Sequence, residues 1–168
     1  MVLVIGPNGS GKSAAAERLC HDLHDGQGAL VYVATLMPAG ADGRRRVARH
    51  RRQRAGQGFT TIEAPTGDLS LGDGAAPDVV LLEDVSNLLA NFAFARRHPD
   101  PVAATLDQVA HLRGACRHLV VVTIGGLAPE PGYDVETVAY IGNLDRVNDA
   151  LRRDADQVIE MSGAEVAP

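Results

Sequence analysis

The amino-acid sequence predicts an α/β fold, a three-layer sandwich in which helices cover both faces of a mostly parallel central sheet. Two observations lead to this fold class, and the chain length indicates the number of domains. Short runs rich in β-branched residues alternate regularly with longer stretches of helical pattern. The short runs are continuously apolar, which is typical of strands buried on both faces of a parallel sheet. The length of 168 residues is that of one domain, so we expect residues 1–168 to form a single domain.

Each predicted element follows from a local pattern. Strands are expected where β-branched runs occur, at residues 2–5, 30–34, 79–82, 119–123 and 158–161, with a weaker candidate at 59–62. Helices are expected at residues 12–24, 44–55, 85–96, 101–116 and 134–154. The segment 65–77 is rich in glycine, aspartate and alanine, which predicts a surface loop. Because such sheets bind ligands beside the carboxyl ends of their strands, functional residues are expected there.

Composition and charge argue against several classes of protein. A net charge of −5 argues against a general affinity for nucleic acid. The longest apolar runs, of about five residues, are far too short to span a membrane. The first residues lack the basic and apolar regions of a signal peptide. Cys20 and Cys116 fall in helical patterns without metal-ligand spacing, so we expect a cytoplasmic protein with reduced thiols.

A glycine-rich motif follows the first predicted strand. It matches the phosphate-loop pattern G-x-x-x-x-G-K-[ST] with the residues Gly6, Pro7, Asn8, Gly9, Ser10, Gly11, Lys12 and Ser13. Glycines allow backbone N–H groups to converge on one anion, and the next helix adds its positive N-terminal end. Lys12, the only lysine of the chain, is expected to reach the β- and γ-phosphates, while the Ser13 hydroxyl binds Mg²⁺. The motif predicts a P-loop NTPase-type fold that binds GTP or ATP.

An acidic pair, Glu83 and Asp84, directly follows the predicted strand at residues 79–82. An acid at the end of an apolar strand is the usual partner of a phosphate loop, where it holds magnesium directly or through water. The pattern by itself is weak, because many strands end in an acid. Beside the phosphate loop, we assign the metal-binding and catalytic role to Glu83, with Asp84 as its rival.

A basic helix is predicted between these two motifs, where seven arginines lie from Arg44 to Arg54 with no acid among them. On a helix, Arg46 and Arg54 would lie one turn on either side of His50, on the same face. Flanking guanidinium groups disfavour the imidazolium, so His50 would stay neutral and nucleophilic, and they offer forked donors to phosphate oxygens. Spacing alone leaves three interpretations open: a histidine that attacks phosphorus, a solvated basic helix, and an arm that binds nucleic acid.

With these motifs, the sequence resembles the bifunctional adenosylcobinamide kinase/adenosylcobinamide-phosphate guanylyltransferases of cobalamin synthesis. The matching segments follow the phosphate loop in order along nearly the whole chain. They are Tyr32-Val33-Ala34-Thr35, Arg46-Val47-Ala48-Arg49-His50-Arg51-Arg52-Gln53-Arg54, Thr61-Ile62-Glu63-Ala64-Pro65, Leu81-Leu82-Glu83 with Ser86 and Asn91-Phe92, Arg146-Val147-Asn148, Ala155-Asp156-Gln157-Val158, and Ser162-Gly163. The arginine–histidine helix, placed between the phosphate loop and the acidic strand, is the specific part of the resemblance.

The resemblance implies two reactions that use GTP or ATP with Mg²⁺. In the first, a nucleoside triphosphate phosphorylates the aminopropanol hydroxyl of adenosylcobinamide. In the second, His50 attacks the α-phosphorus of GTP, and cobinamide phosphate takes GMP from the guanylyl-histidine to give adenosylcobinamide-GDP. The resemblance also implies a homotrimer. It further implies nucleotide contacts from Glu63, Glu83, Thr35 and the residues around His50, namely Arg46, Arg49, Arg51 and Arg54.

The second half of the chain departs from the family pattern. Where the family usually has N-E-x-G, this chain has Ile124-Gly125-Gly126. Where the family has an aromatic residue followed by Arg-Asp, it has Tyr140-Ile141-Gly142, and it has Asp145 in place of a glycine. The departures concern the cobinamide side and leave alternatives open: a small-molecule kinase, a single-activity paralogue with another acceptor, or a nucleotide-binding switch or assembly factor. A candidate acceptor pocket contains Tyr133, Asp134, Glu136 and Tyr140, although Asp134 also fits a helix cap.

Overall fold

The computed structural model describes residues 1–38, 40, 43, 45, 47, 48, 52, 56–65, 67, 69, 71 and 76–163. Six strands form one sheet in the order β3-β2-β4-β5-β1-β6, and every neighbouring pair is parallel. The strands are β1 (Val2–Gly6), β2 (Leu30–Ala34), β3 (Thr60–Glu63), β4 (Val79–Glu83), β5 (His118–Ile124) and β6 (Gln157–Glu160). The predicted α/β fold is confirmed, and over the described residues the sheet is wholly rather than mostly parallel.

Four α-helices between these strands have described bounds: α1 (Lys12–Leu23), α2 (Val85–Ala90), α3 (Pro101–Ala115) and α4 (Val135–Asp154). A π-helical turn, Asn91–Ala95, continues α2 directly, so the prediction of one α-helix over residues 85–96 is wrong in its second half. Within the segment predicted as the basic helix, the described residues Arg45, Val47, Ala48 and Arg52 are helical. Among the described residues, none of the helices combines the length and apolar character that crossing a membrane requires.

An aspartate begins three of the helices. Asp84, Asp100 and Asp134 each accept a hydrogen bond from a backbone N–H in the first turn, of α2, α3 and α4 respectively. Such a side chain satisfies a donor that the helix itself leaves unpaired, which stabilises the helix start. Helix α1 begins differently, at Gly11 in the left-handed conformation without a side-chain cap. Its free N–H groups therefore remain available at the phosphate loop.

Alternating residues of the strands pack against opposite faces of the sheet. In β1, Leu3 and Ile5 join one core together with residues of α2, α3 and α4. Val4 lies between them and joins a second core with Ala16 and Cys20 of α1. The alternation follows from the two-residue period of a strand. Helices therefore cover both faces, and the three predicted layers are present.

The parallel arrangement brings the carboxyl ends of the strands to one edge of the sheet. Ala34 of β2 is in register with both Glu63 of β3 and Glu83 of β4, and Gly6 of β1 is in register with Ile124 of β5. Strand β5 lies between β1 and β4, yet the loop after β1 and the acid that ends β4 stand on the same edge. The fold thus places the start of the phosphate loop, Glu63 and Glu83 at one edge of the sheet.

Candidate functional site

The phosphate loop connects β1 to α1. Gly9 and Gly11 adopt left-handed backbone conformations with φ of 76° and 79°, which cost a residue with a Cβ about 1–2 kcal/mol. Gly6 is required for a different reason, since a Cβ there would lie 2.6 Å from Met161 O and 2.9 Å from Ser10 Oγ. The glycines of the motif therefore shape the loop through backbone conformation at two positions and close packing at the third.

Lys12 is the first residue of α1, and its side chain folds back over the loop. Its Nζ donates a hydrogen bond to Pro7 O at 3.1 Å, and the residue is only 7% exposed. The ammonium group is thus held at the N-terminal end of the helix, where backbone N–H groups and the helix dipole also attract an anion. Ser10 Oγ, buried in the same loop, has no hydrogen-bond partner among the described residues. This arrangement suits a phosphate group.

Ser13 and Glu83 are joined across the sheet edge. Ser13 Oγ donates to Glu83 Oε1 at 2.6 Å, while Glu83 Oε2 is buried without a hydrogen-bond partner in the described part of the chain. Burial, and then the charge of Asp84, raises the pKa of Glu83 to about 8. Mg²⁺ prefers oxygen ligands of this kind, a carboxylate and a hydroxyl. The residues present therefore fit the metal ion that the motif predicts.

Asp84 stabilises the start of α2 instead. Its Oδ1 accepts hydrogen bonds from Ser86 Oγ at 2.6 Å and from Asn87 N at 2.7 Å. Burial raises the pKa of Asp84, although these hydrogen bonds oppose the rise. This carboxylate caps the helix, whereas Glu83 Oε2 has no hydrogen-bond partner among the described residues and the other Glu83 oxygen lies beside Ser13, so the geometry favours Glu83 over Asp84 as the metal ligand.

Thr35 fixes the backbone of this acidic pair. The residue is fully buried, and its Oγ1 accepts a hydrogen bond from Asp84 N at 2.8 Å and lies 2.8 Å from Asp84 O and 3.1 Å from Glu83 O. Asn91 Nδ2 in turn donates to Thr35 O at 2.8 Å. The structure places the Thr35 hydroxyl on the Glu83–Asp84 backbone, and its contact with nucleotide stays a prediction. Thr35 is a positioning residue for the acids.

A cavity of about 670 Å³ opens at this edge of the sheet, within the range of pockets that hold one small molecule. The phosphate loop and the start of α1 supply Asn8, Gly9, Gly11, Lys12, Ser13 and Ala14 to its lining. The region after β2 and β3 supplies Leu36, Val47 and Glu63. The acids Glu83 and Asp84, the start of α2 with Ser86 and Asn87, and Ile124 of β5 also line it. The predicted residues Lys12, Ser13, Glu63 and Glu83 thus share one cavity.

The predicted nucleophile and its arginines cannot be placed in the same way. Arg46, Arg49, His50, Arg51 and Arg54 lie outside the described residues. Their neighbour Val47 lines the cavity and precedes His50 by three residues in the sequence. A residue of the basic segment therefore reaches the same cavity as the phosphate loop.

The candidate acceptor pocket is only partly assembled. Asp134 accepts a hydrogen bond from Thr137 N at 2.7 Å, so the helix-cap alternative applies to it. Tyr133 and Glu136 are exposed. Tyr140 alone of the four connects to the cavity, through a hydrogen bond from its hydroxyl to Ser86 O at 3.0 Å. Burial raises the pKa of Tyr140 to about 12, so its hydroxyl is a donor at neutral pH.

Some residues of the cavity carry no sequence signal for binding. Leu36 and Ile124 are apolar residues just after or at the end of a strand, a position that many core residues share. Ser86 had a weak signal, because it stands two residues after an aspartate that begins a helix. Its side chain serves the Asp84 cap, and the same residue lines the cavity.

The comparison with protein families agrees with these observations. The model of the family described as cobinamide kinase / cobinamide phosphate guanyltransferase (CobU) matches residues 2–166. The search of curated proteins found no match. Among solved structures, the chain is similar to the crystal structure of flagellar accessory protein FlaH from Methanocaldococcus jannaschii. That likeness has a TM-score of 0.49 and 15% sequence identity, covers 95% of this chain and 69% of that chain, and carries no argument about function.

Proposed function

Because the chain belongs to the cobinamide kinase / cobinamide phosphate guanyltransferase family of cobalamin biosynthesis, we propose that it carries out both reactions at the cavity described above. It phosphorylates adenosylcobinamide with ATP or GTP, and then transfers GMP from GTP to the resulting adenosylcobinamide phosphate. One observation carries the proposal: Lys12, Ser13 and Glu83 converge on a cavity that Val47 of the basic segment also lines.

In the kinase reaction, the acceptor hydroxyl oxygen attacks the γ-phosphorus of the nucleotide. The bond from this phosphorus to the β–γ bridging oxygen breaks, the nucleoside diphosphate leaves with the electron pair, and the hydroxyl proton is released. Lys12 and the N–H groups at the start of α1 offset the charge on the phosphates. Ser13 and Glu83 would hold Mg²⁺, which neutralises further phosphate charge when bound.

In the guanylyl transfer, an imidazole nitrogen of His50 attacks the α-phosphorus of GTP. A P–N bond forms, the bond to the α–β bridging oxygen breaks, and pyrophosphate leaves. A phosphate oxygen of the acceptor then attacks the same phosphorus, and the P–N bond breaks to release the imidazole. Val47 at the cavity supports this role, as does the spacing of Arg46 and Arg54, four residues on either side of His50 in the sequence.

Glu63 is proposed to select the guanine base. It ends β3 and lines the same cavity as the phosphate loop. A carboxylate accepts hydrogen bonds from both N–H groups on the Watson–Crick edge of guanine, whereas adenine presents a different donor pattern there. This contact would favour GTP over ATP in the guanylyl transfer.

A kinase without guanylyl transfer is the second candidate. It is favoured by the described part of the site, since Lys12, Ser13 and Glu83 are groups that phosphoryl transfer uses, whereas His50 lies outside the described residues. For either candidate, we propose that the chain acts as one domain and assembles as a homotrimer, as the family resemblance implies. Sedimentation of the purified protein measures the assembly directly.

Two assays test the proposed function. In the first, adenosylcobinamide is incubated with ATP or GTP labelled at the γ-phosphate, and the corrinoid is expected to acquire the label. In the second, adenosylcobinamide phosphate and GTP are expected to yield adenosylcobinamide-GDP. Lys12→Ala should lose the first reaction, and His50→Ala should lose only the second. Phosphorylation with no guanylyl transfer would favour the second candidate, and the absence of both reactions would overturn both candidates.

A further inference from the structure

We propose that an aromatic pair outside the cavity, Phe94 and Tyr140, binds the corrinoid acceptor and directs its reactive arm toward the phosphate loop. Together with the cavity-lining residues Ser86 and Asn87, this pair forms what we name the acceptor surface. The identity of the occupant rests on the proposed function, since a corrinoid is the substrate of that reaction. The existence of the surface rests on the contacts described below.

The size of the cavity requires a second binding region. At about 670 Å³, the cavity accommodates one ligand of nucleotide size. A corrin macrocycle with its amide arms and adenosyl group is larger than a nucleotide, so it cannot share this space. The macrocycle must therefore lie outside, with only its aminopropanol arm entering toward Lys12 and Ser13.

A continuous set of contacts leads outward from the cavity to the aromatic pair. Ser86 and Asn87 belong to the cavity lining. The Tyr140 hydroxyl donates to Ser86 O at 3.0 Å, which fixes the tyrosine ring beside that lining. The Tyr140 ring in turn packs against Phe94, with 5.7 Å between the ring centroids and 42° between the ring planes. Two contacts thus connect the cavity lining to Phe94.

The outer member of the pair is available for binding. Phe94 is 44% exposed, whereas Phe92, two residues earlier in the same π-helical turn, is 4% exposed and packs in the core. The turn therefore has one buried ring and one ring that faces solvent. Exposed aromatic rings beside a ligand cavity provide large contact area, and π-helical turns are frequent at functional sites.

The chemistry of the acceptor surface suits a corrinoid. Its four residues are uncharged, and they combine two aromatic rings with a hydroxyl and an amide. A corrin ring presents methyl groups and an extended flat framework that pack against aromatic rings. Its amide arms form hydrogen bonds with a side chain such as that of Asn87. The rest of the cavity lining, with Lys12, Glu63 and Glu83, suits a charged nucleotide instead.

The test compares binding of two ligands to one set of variants. Adenosylcobinamide and GTP are titrated separately against the wild-type protein, Phe94→Ala, Tyr140→Phe and the control Val158→Ala. Val158 is 37% exposed and lies on the edge strand β6. Phe94→Ala should weaken adenosylcobinamide binding on the order of tenfold, through loss of aromatic contact area, and leave GTP binding unchanged. Tyr140→Phe keeps the ring but loses the hydrogen bond to Ser86 O, so it should weaken adenosylcobinamide binding less than Phe94→Ala does and leave GTP binding unchanged. Val158→Ala should bind both ligands as the wild type does.

Two results would overturn the inference. In one, Phe94→Ala binds adenosylcobinamide as tightly as the wild type. In the other, Phe94→Ala changes the sedimentation of the protein, which would assign Phe94 to an interface between copies of the chain. Because binding is measured without turnover, a failure of the proposed function has a different signature: the wild type binds adenosylcobinamide, Phe94→Ala binds it weakly, and neither protein phosphorylates it.

Discussion

The cost of ionising Glu83 depends on what occupies the cavity, because burial raises the pKa of this carboxyl to about 8. One carboxylate oxygen accepts a hydrogen bond from Ser13, and the other is buried without a partner among the described residues. A buried carboxylate with an unsatisfied oxygen destabilises the fold until a cation or a proton compensates it. The same feature that suits Glu83 to metal binding therefore reduces the stability of the ligand-free protein.

This cost leads to a prediction for Glu83→Gln. The amide has the same shape but no charge, so the melting temperature without magnesium should be equal to or higher than that of the wild type. Kinase turnover should fall on the order of 100-fold, because the metal loses its carboxylate. Calorimetry and the phosphorylation assay measure the two effects, with Glu160→Gln on β6 as the control. A variant that is both less stable and fully active would contradict the assignment.

Thr35 offers a second test at the scale of one hydroxyl group. Thr35→Val removes the acceptor of the buried Asp84 N–H, so the free energy of unfolding should fall by about 1–3 kcal/mol. Thr35→Ser keeps the hydroxyl and should recover most of this loss. Denaturant titrations of the three proteins distinguish the outcomes. Equal stability of the valine and serine variants would show that the hydrogen bonds to the Glu83–Asp84 backbone contribute little.

Among the elements, strands were the most predictable from sequence. Continuous β-branched runs give β2 with the predicted bounds, and β4 gains only Glu83 at its end. The weak strand predicted at residues 59–62 is present one residue later, as Thr60–Glu63. The π-helical turn after α2 was not predictable, because a periodic apolar pattern does not reveal one extra residue per turn. Its first residue, Asn91, donates a side-chain hydrogen bond to Thr35 O, a contact with a distant part of the chain that local periodicity does not reveal.

Substitution of glycine by alanine should change the stability in opposite directions at Gly6 and at Gly142. A Cβ at Gly6, at the end of β1, would meet the Met161 backbone, so Gly6→Ala should lower the free energy of unfolding by about 1–3 kcal/mol and weaken nucleotide binding. Gly142 is exposed in the interior of α4 with no atom near its Cβ position. Gly142→Ala should raise stability by about 0.4–1 kcal/mol. Denaturant unfolding measures the change in the free energy of unfolding for both variants. A change of the same sign in both would contradict the prediction.

The Asp134 cap at the start of α4 should make the stability of the protein depend on pH. Hydrogen bonds from Thr137 lower the pKa of Asp134 below its ordinary value, so folding favours the ionised carboxylate. The ionised Asp134 carboxylate stabilises the folded protein fully above the pKa that this group has in the unfolded chain. This stabilisation is lost as the pH falls through the lower pKa that the group has in the folded protein. Asp134→Ala should therefore be less stable than the wild type at neutral pH, with a difference that shrinks below about pH 4.

Asp145→Ala, an exposed position of the same helix, serves as the control for that measurement. It removes a carboxylate from α4 without removing a cap. Unfolding curves at several pH values give the comparison. A difference between Asp134→Ala and wild type that persists unchanged in acid would assign the effect to something other than the ionised cap.

At the scale of the whole molecule, sequence motifs predicted which groups meet but not how the sheet brings them together. The phosphate-loop pattern and the acid after an apolar strand indicated that Ser13 and Glu83 share a site. In the structure, Ser13 Oγ lies 2.6 Å from Glu83 Oε1. The position of β5 between β1 and β4 was not predictable, because strand order depends on pairings between distant segments. The acceptor surface was only partly predicted, through Tyr140, because Phe94 becomes significant only where α4 packs beside it.

The charge of the molecule is distributed in keeping with this site. The chain is acidic, with a net charge of −5, and its one lysine lies at the phosphate loop. Seven of its fifteen arginines lie in the segment from Arg44 to Arg54, to which the cavity-lining residue Val47 belongs. We therefore expect Lys12 and this segment to offer positive charge to a bound nucleotide.

The most direct test of the account concerns the covalent step at His50. The protein is incubated with GTP labelled at the α-phosphate, denatured, and separated from free nucleotide. We expect label that remains on the protein, withstands alkali, is released by acid as a phosphoramidate is, and is absent in His50→Ala. Addition of cobinamide phosphate before denaturation should move the label to the corrinoid. Protein that acquires no label, or His50→Ala that acquires as much as the wild type, would contradict the guanylyl-histidine mechanism.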